Sequence, residues 1–263
     1  MSGWLCIVGL GPGDAQLVTP EVSAALATAT DVVGYIPYVA RIAPREGLTL
    51  HPSDNRVEID RARAALAMTA VGRKVVVVSS GDPGVFAMAA AVFEALEGQP
   101  AWQALDIRVL PGITAMLAAA ARAGAPLGHD FCAINLSDNL KPAALIEARV
   151  RAAAGADFAM AFYNPRSASR PETFGRILGV LREVCEPERL IIFARAVCTP
   201  YEKIHTVALC DAAPEMADMR TVVIVGNAAT RRVGRFVYTP RSVLQASPDS
   251  PDSPGSPVLA AVL

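Results

Sequence analysis

Residues 7–26 read IVGLGPGDAQLVTPEVSAAL, a short apolar strand that runs into glycines and then into a helix. Whether those glycines form a dinucleotide-binding loop decides which α/β fold the chain takes. Such a loop needs G-x-G-x-x-G, with an acidic residue about 20 positions on at the end of a second strand. Gly9 and Gly11 fit, but Asp14 occupies the place of the third glycine. Pro12 removes a backbone N–H from the loop. Asp14 sets a negative charge where a pyrophosphate would lie, and Asp31 precedes an apolar pair instead of ending a strand. No Lys-Ser/Thr follows, so the stretch is not a P-loop either. It reads as a tight strand-to-helix turn without a phosphate cradle.

Two further turns share that build. In 75-VVVVSSGDPGVFAMAAAVFEAL-96 a strand ends in Ser79-Ser80-Gly81-Asp82-Pro83-Gly84 before a helix. In 107-IRVLPGITAMLAAAARAG-124 a strand ends in Pro111-Gly112, and the helix opens at Thr114-Ala115. Three such turns place small-residue backbone along one sheet edge, where a ligand can approach main-chain N–H and C=O groups closely. Asp82 is the carboxylate of the second turn. It reads either as the N-cap of the following helix or as a ligand contact.

Continuous apolar runs at 4–10, 74–80, 105–110, 157–164, 189–196 and 221–227 alternate with helical stretches such as 86–96 and 113–124. Runs without polar alternation are strands buried on both faces. The prediction is an α/β fold of two lobes with mixed, largely parallel sheets and the active site in the cleft between them. Gly124 and Pro126 break the pattern midway, so the lobes are expected at 1–124 and 125–245. The tail, 246–263, opens ASPDSPDSPGSP, a composition expected to be disordered. Residues 58–74 read as an amphipathic surface helix with its charges on a solvated face.

The 263 residues are 52% hydrophobic and 19% charged, enough for a sizeable core. No apolar run reaches the ~18 residues of a membrane span, and the N-terminus enters a strand without a basic leader or cleavage site. A cytoplasmic protein is expected. A net charge of −1 gives no global reason to expect nucleic acid. Five cysteines without a CxxC read as reduced and structural, and three scattered histidines suggest no metal site.

Taken together, 8-VGLGPGD-14, 79-SSGDPG-84 and 110-LPGITAMLAAAARAGAPLGHDF-131 resemble the tetrapyrrole (corrin and sirohaem) methyltransferases in order and spacing, across roughly residues 3–243. The resemblance implies two α/β lobes, a homodimer, and S-adenosylmethionine (SAM) in the cleft, leaving S-adenosylhomocysteine as product. The segments 33-VGYIPYV-39, 128-GHDFCAINLSD-138, 158-FAMAFYNPRSASR-170 and 221-TVVIVGNAATR-231 are similar to the branch that methylates ring carbon 17 of precorrin-3B. That branch contracts the macrocycle to precorrin-4, in cobalamin synthesis. The same motifs suit the cobalt-containing counterpart. One departure stands out: some family members carry a Tyr-Asp pair after the second strand, where this chain has Gly34-Tyr35, so no aspartate base carries over.

By resemblance, Pro12, Gly81, Asp82, Val85, Thr114 and Ala115 surround SAM from the first lobe, and Asn164, Ala196 and Val197 from the second. Ring contraction needs a hydroxyl to lose its proton as a carbonyl forms, so a general base would help. Asp82, His129 and Tyr163 are candidates. Bland roles stand beside these: His129 as a hydrogen-bonding boundary residue, Tyr163 as a strand-end packing aromatic. Gly11, Asp14 and Tyr35 would border the substrate. Arginine forks suit its many carboxylates. Arg166 and Arg170 are the main candidates, with Arg41, Arg45 and Arg195 behind them. Competing readings are another precorrin or cobalt-precorrin methyltransferase, a non-catalytic SAM- or tetrapyrrole-binding regulator, and an NAD-dependent oxidoreductase.

Overall fold

The computed structural model describes residues 3–55 and 57–242. The apolar runs form strands whose alternate residues serve opposite faces. β1 (Trp4–Gly9) leads through α1 (Pro20–Thr28) to β2 (Asp31–Tyr35). Thr19 caps α1 by accepting the Val22 N–H at 3.3 Å, and Pro20 opens the helix. Next come α2 (Ile36–Val39), β3 (Thr49–Ser53), α3 (Glu58–Ala70), β4 (Lys74–Ser79), α4 (Met88–Glu97) and β5 (Asp106–Leu110). All these strands run parallel, in the order β3-β2-β4-β1-β5. Leu5, Ile7, Val75 and Val77 face α3 and α4, while Cys6, Val8, Val76 and Val78 join Val22 of α1 on the other face. Because β4, β1 and β5 are neighbours, the turns after them lie side by side at the carboxyl edge of the sheet.

The second sheet begins after α5 (Ala115–Ala123) and the two-residue β6 (Gly124–Ala125). It is built from β7 (Phe131–Asn135), α6 (Ala143–Gly155), β8 (Ala159–Tyr163), α7 (Thr173–Val184), β9 (Leu190–Arg195), β10 (Lys203–Ala208) and β11 (Thr221–Val225). Its order is β10-β9-β11-β8-β7, and only the β7–β8 pair is parallel. The hairpin β12 (Arg231–Val233) and β13 (Phe236–Tyr238) pairs with β6. Phe162, Phe193 and Val223 face α6 and α7. The opposite face, with Ala161, Ile192, Ala194 and Ile224, is covered by Ala118, Ala119, Ala120 and Ala123 of α5. Small side chains let that helix sit close. The chain therefore crosses between sheets at the 110–114 turn, and α5 packs on the second sheet.

The helix expected at 58–74 forms as α3, with Asp60 and Arg63 in water as expected but Arg61 turned inward. Arg61 is 5% exposed. It falls on the buried stripe with Ala62, Ala65 and Thr69, and donates to Ser53 Oγ at 2.7 Å and to the Asp54 carbonyl at 2.6 Å. All five cysteines are free thiols, Cys6 buried and Cys210 exposed. Among the described residues no helix is long and apolar enough to cross a membrane. The expected tail, 246–263, lies outside the described residues.

Candidate active site

The three glycine turns touch backbone to backbone at their glycines. Gly11 and Gly81 both take φ +66, a conformation glycine adopts without penalty. They exchange hydrogen bonds: Gly11 N–H donates to the Gly81 carbonyl at 3.2 Å, and Gly81 N–H to the Gly11 carbonyl at 2.9 Å. A methyl on Gly9 would strike the Gly81 carbonyl oxygen and stand 2.8 Å from Gly112 Cα. One on Gly112 would strike the same oxygen and stand 2.7 Å from the Gly9 oxygen. The absent side chains thus let the turns seat on one another, a tighter use than an open edge awaiting a ligand.

Asp82 fastens the arrangement. One carboxylate oxygen accepts the Gly84 N–H at 2.8 Å and the other accepts the Gly112 N–H at 3.0 Å. The N-cap role expected for it does not hold, because α4 starts at Met88 behind Ala87, which makes no side-chain cap. Arg41 closes the first turn from below, donating to the Gly11 and Gly13 carbonyls at 3.2 Å and to the Leu10 carbonyl. Its guanidinium is spent on the protein, and burial pulls its pKa down.

From the second lobe, Tyr163 at the end of β8 reaches the third turn. Its hydroxyl hydrogen-bonds Thr114 Oγ1 and accepts the Met116 N–H at 3.0 Å. Tyr163 is therefore more than a packing aromatic. Burial pushes its phenol pKa up, and the Asp82 carboxylate adds to the shift against those two hydrogen bonds. Beside it, Asn164 has φ +52 and donates to Asn135 Oδ1 at 3.1 Å, while Ala196 has φ +49 after β9. Thr114, Ala196 and Val197 are buried; Ala115, Val85 and Pro12 are half-buried. Phe86 packs on Tyr163 with ring centroids 5.2 Å apart. Asp82, Thr114, Tyr163 and Phe86 thus meet where the lobes meet.

A second contact joins the lobes. A methyl on Gly13 would lie 2.6 Å from the Cys198 carbonyl oxygen. Beside this contact opens a cleft of about 500 Å³ lined by Gly13, Asp14, Arg122, Cys198, Thr199, Pro200 and Glu202. Asp82, Thr114, Tyr163 and Phe86 do not line it. Asp14 is exposed and accepts the Gln16 N–H at 2.9 Å. Tyr35 ends β2 and stacks edge-to-face on Tyr38 at 5.3 Å.

The remaining candidates separate. His129 pairs with Asp130 at 3.7 Å, and among the described residues no hydrogen bond or ion pair links it to Asp82 or Tyr163. Arg166 is half-buried and donates to the Pro171 carbonyl at 3.2 Å. Arg170 is held by Asp138 at 3.7 Å. Arg45 donates to the Leu26 carbonyl at 3.0 Å and to the Ala29 carbonyl, closing the end of α1. Arg195 pairs with Asp218 at 2.8 Å. Arg41, Arg45 and Arg195 each bond protein partners, although Arg41 and Arg45 stay exposed. Sequence reasoning overlooked Phe86 and the Gly13–Cys198 contact. Phe86 could have been flagged as a bulky residue two positions after the Asp-Pro-Gly turn. The contact has no local signal.

Two α/β lobes that meet through strand-end glycine turns, with no dinucleotide fingerprint, define a ligand-binding cleft of a particular enzyme class. The chain belongs to the tetrapyrrole (corrin/porphyrin) methylases, whose family profile matches residues 5–213. A Sinorhizobium protein named precorrin-3B C(17)-methyltransferase is 50% identical over 253 residues, covering 94% of this chain and 100% of that one. A Salmonella typhimurium protein named probable cobalt-factor III C(17)-methyltransferase is 36% identical over 244 residues, 90% of this chain and 98% of that one. The crystal structure of the methyltransferase CobJ matches with a TM-score of 0.90 and 74% identity, over 91% of this chain and 100% of that chain.

Proposed function

We propose that this chain methylates precorrin-3B at ring carbon 17 with S-adenosylmethionine and contracts the ring to precorrin-4, a step of cobalamin synthesis. The observation that carries the reading is the end-to-end likeness to the Sinorhizobium enzyme, 50% identical with 100% of that chain covered. The site agrees with it. Of the residues proposed around the donor, Asp82 is the charged one, of the sign that suits a sulfonium and an amino group. Gly81, Thr114, Ala115, Asn164, Ala196 and Val197 offer main-chain groups at strand-end turns, three of them (Gly81, Asn164 and Ala196) in left-handed backbone.

When bound, S-adenosylmethionine supplies a methyl already activated on sulfur, so the protein's task is positioning. Asp82 ties the second turn to the third, and Tyr163 ties the third turn to the second lobe. Both acceptor oxygens of Asp82 hold N–H groups, and burial pushes the Tyr163 phenol pKa up. We therefore assign both to positioning, ahead of proton removal. His129 remains the titratable candidate for ring contraction, from the side of the 124–131 connection. Gly11, Asp14 and Tyr35 border the macrocycle, and Arg166, with Arg170 behind it, meets its carboxylates. The lobes divide near residue 111 by packing, ahead of the 124/125 boundary. The working form is a cytoplasmic homodimer.

The test is an anaerobic incubation with S-adenosylmethionine and precorrin-3B, read by mass spectrometry and absorbance. A product heavier by one methylene with loss of the precorrin-3B spectrum is expected. Both reactants left intact would overturn the substrate. Turnover of the cobalt-bearing substrate alone would establish the second reading, which the Salmonella relative supports.

A further inference from the structure

Phe86 combines two features that no other described residue shares. It is a large apolar side chain left 47% exposed, and its backbone stands at φ +54. Exposed apolar residues scattered singly need no explanation; Leu140 and Val71 are more exposed than Phe86, and both keep ordinary backbone. A bulky residue in the left-handed region is strained, and such strain persists where the surrounding structure enforces it. Here the enforcement is on either side. Gly81 and Asp82 anchor the turn to the neighbouring turns, and Met88 begins α4 with its N–H on Ser79 Oγ at 3.4 Å. The strained backbone holds the ring out of the first lobe's core and against Tyr163, at an interplanar angle of 62°. Half the residue stays open at the junction of the lobes.

We propose that Phe86 is the platform on which the substrate's macrocycle rests, a contact that sets affinity for a broad, flat, largely apolar ring and not for its carboxylate rim. The proposal depends on the tetrapyrrole reading above. Tyr163 backs the ring from one side, so the platform is preformed when the substrate arrives. It also stands one residue from Val85, among the residues proposed around the methyl donor, which brings ring and donor together.

The experiment compares Phe86→Leu, Phe86→Tyr and Phe86→Gly with the unaltered enzyme. Methylation kinetics give the precorrin-3B KM, calorimetry gives S-adenosylmethionine Kd without tetrapyrrole, and thermal unfolding gives Tm. Removing the ring in Phe86→Leu raises the precorrin-3B KM about tenfold, the size of a lost aromatic stacking contact, with Kd for S-adenosylmethionine essentially unchanged. Phe86→Tyr keeps the KM. Phe86→Gly loses the KM in the same way but unfolds at higher temperature than Phe86→Leu, because glycine relieves the left-handed backbone. An unchanged KM in both Phe86→Leu and Phe86→Gly overturns the platform. So does a rise in KM matched by an equal rise in the S-adenosylmethionine Kd, which marks a lobe-packing role. If the unaltered enzyme binds S-adenosylmethionine but takes neither precorrin-3B nor its cobalt-bearing counterpart, the tetrapyrrole reading falls first and the platform with it.

Discussion

The two edges of each sheet are held by different chemistry. At the edge away from the cleft, buried ions do the holding. Asp31, 0% exposed at the start of β2, is met by Arg73 at 2.6 Å, His51 at 2.7 Å and Thr30 at 2.7 Å. In the second lobe Arg189, just before β9, is met by Glu186 at 2.7 Å, Asp157 at 2.9 Å and the Gly226 carbonyl at 3.0 Å. At the cleft edge, beside ion pairs such as Arg195 with Asp218, the turns are tied at peptide groups, and the backbone is left-handed at Gly11, Gly81, Phe86, Asn164, Ala196 and Cys198. Ion pairs fix where a strand begins. Backbone contacts fix where a turn ends, and they leave room beside it. The strained edge is tolerable because the other edge and the core hold the sheet.

Breaking the cleft edge should cost most. Gly112→Ala forces a methyl against the Gly81 and Gly9 carbonyls, neither of which can rotate away. A stability loss of about 3 kcal/mol is expected in denaturant unfolding, with activity lost alongside. Asp82→Ala comes next. It leaves two N–H groups without their acceptor and lets the turns drift, so kcat/KM should fall about 100-fold with only a small change in Tm. Unchanged kinetics would remove Asp82 from the site.

The far edge should respond the opposite way. Asp31→Asn should cost about 2 kcal/mol of stability and leave kcat/KM untouched. Burial by itself would raise the Asp31 pKa, but the hydrogen bonds from Thr30, His51 and Arg73 outweigh it and hold the carboxyl below its usual range. A depressed pKa contributes stability above the unfolded carboxylate's value, and that stability drains as pH falls through the folded one. The native chain should lose stability below about pH 4, and Asp31→Asn should lose less over the same window. A pH profile identical in both would assign the acid sensitivity elsewhere. Smallest is Arg166→Ala, which should raise the tetrapyrrole KM about threefold, as suits a half-buried charge whose partner competes with water. No change would take Arg166 out of the substrate's reach.

Much of this fold is legible in the sequence, for an identifiable reason. β1, β4, β8, β9 and β11 are buried on both faces, so each is an unbroken apolar run. β3 hides because Pro52 interrupts it, which an edge strand permits. β2 contains Gly34, where a methyl would meet Val78 Cγ2 at 2.5 Å, so close packing looks like a turn signal. Arg61 is misread because its charge outweighs its place on the helix stripe, i to Ala65 and Thr69. The three glycine turns are legible as a set because each carries its own local signature. Their mutual contact is not, nor is the reach of Tyr163 to Thr114 across 49 residues of chain. Such pairings exist only once both sheets are in place.

A joint without side chains has nothing to repack. Where two core residues meet, a change in one can be absorbed by a change in the other. At Gly9 and Gly112 the neighbour is a peptide oxygen, and every amino acid brings the same one. No second substitution at the contact can compensate the first. Heritable variation is closed off at the seam and steered to the positions around it that carry side chains, among them Tyr35, Phe86, Tyr163 and Arg166. A lineage built on this scaffold can change what lies over the cleft far more readily than the floor beneath it.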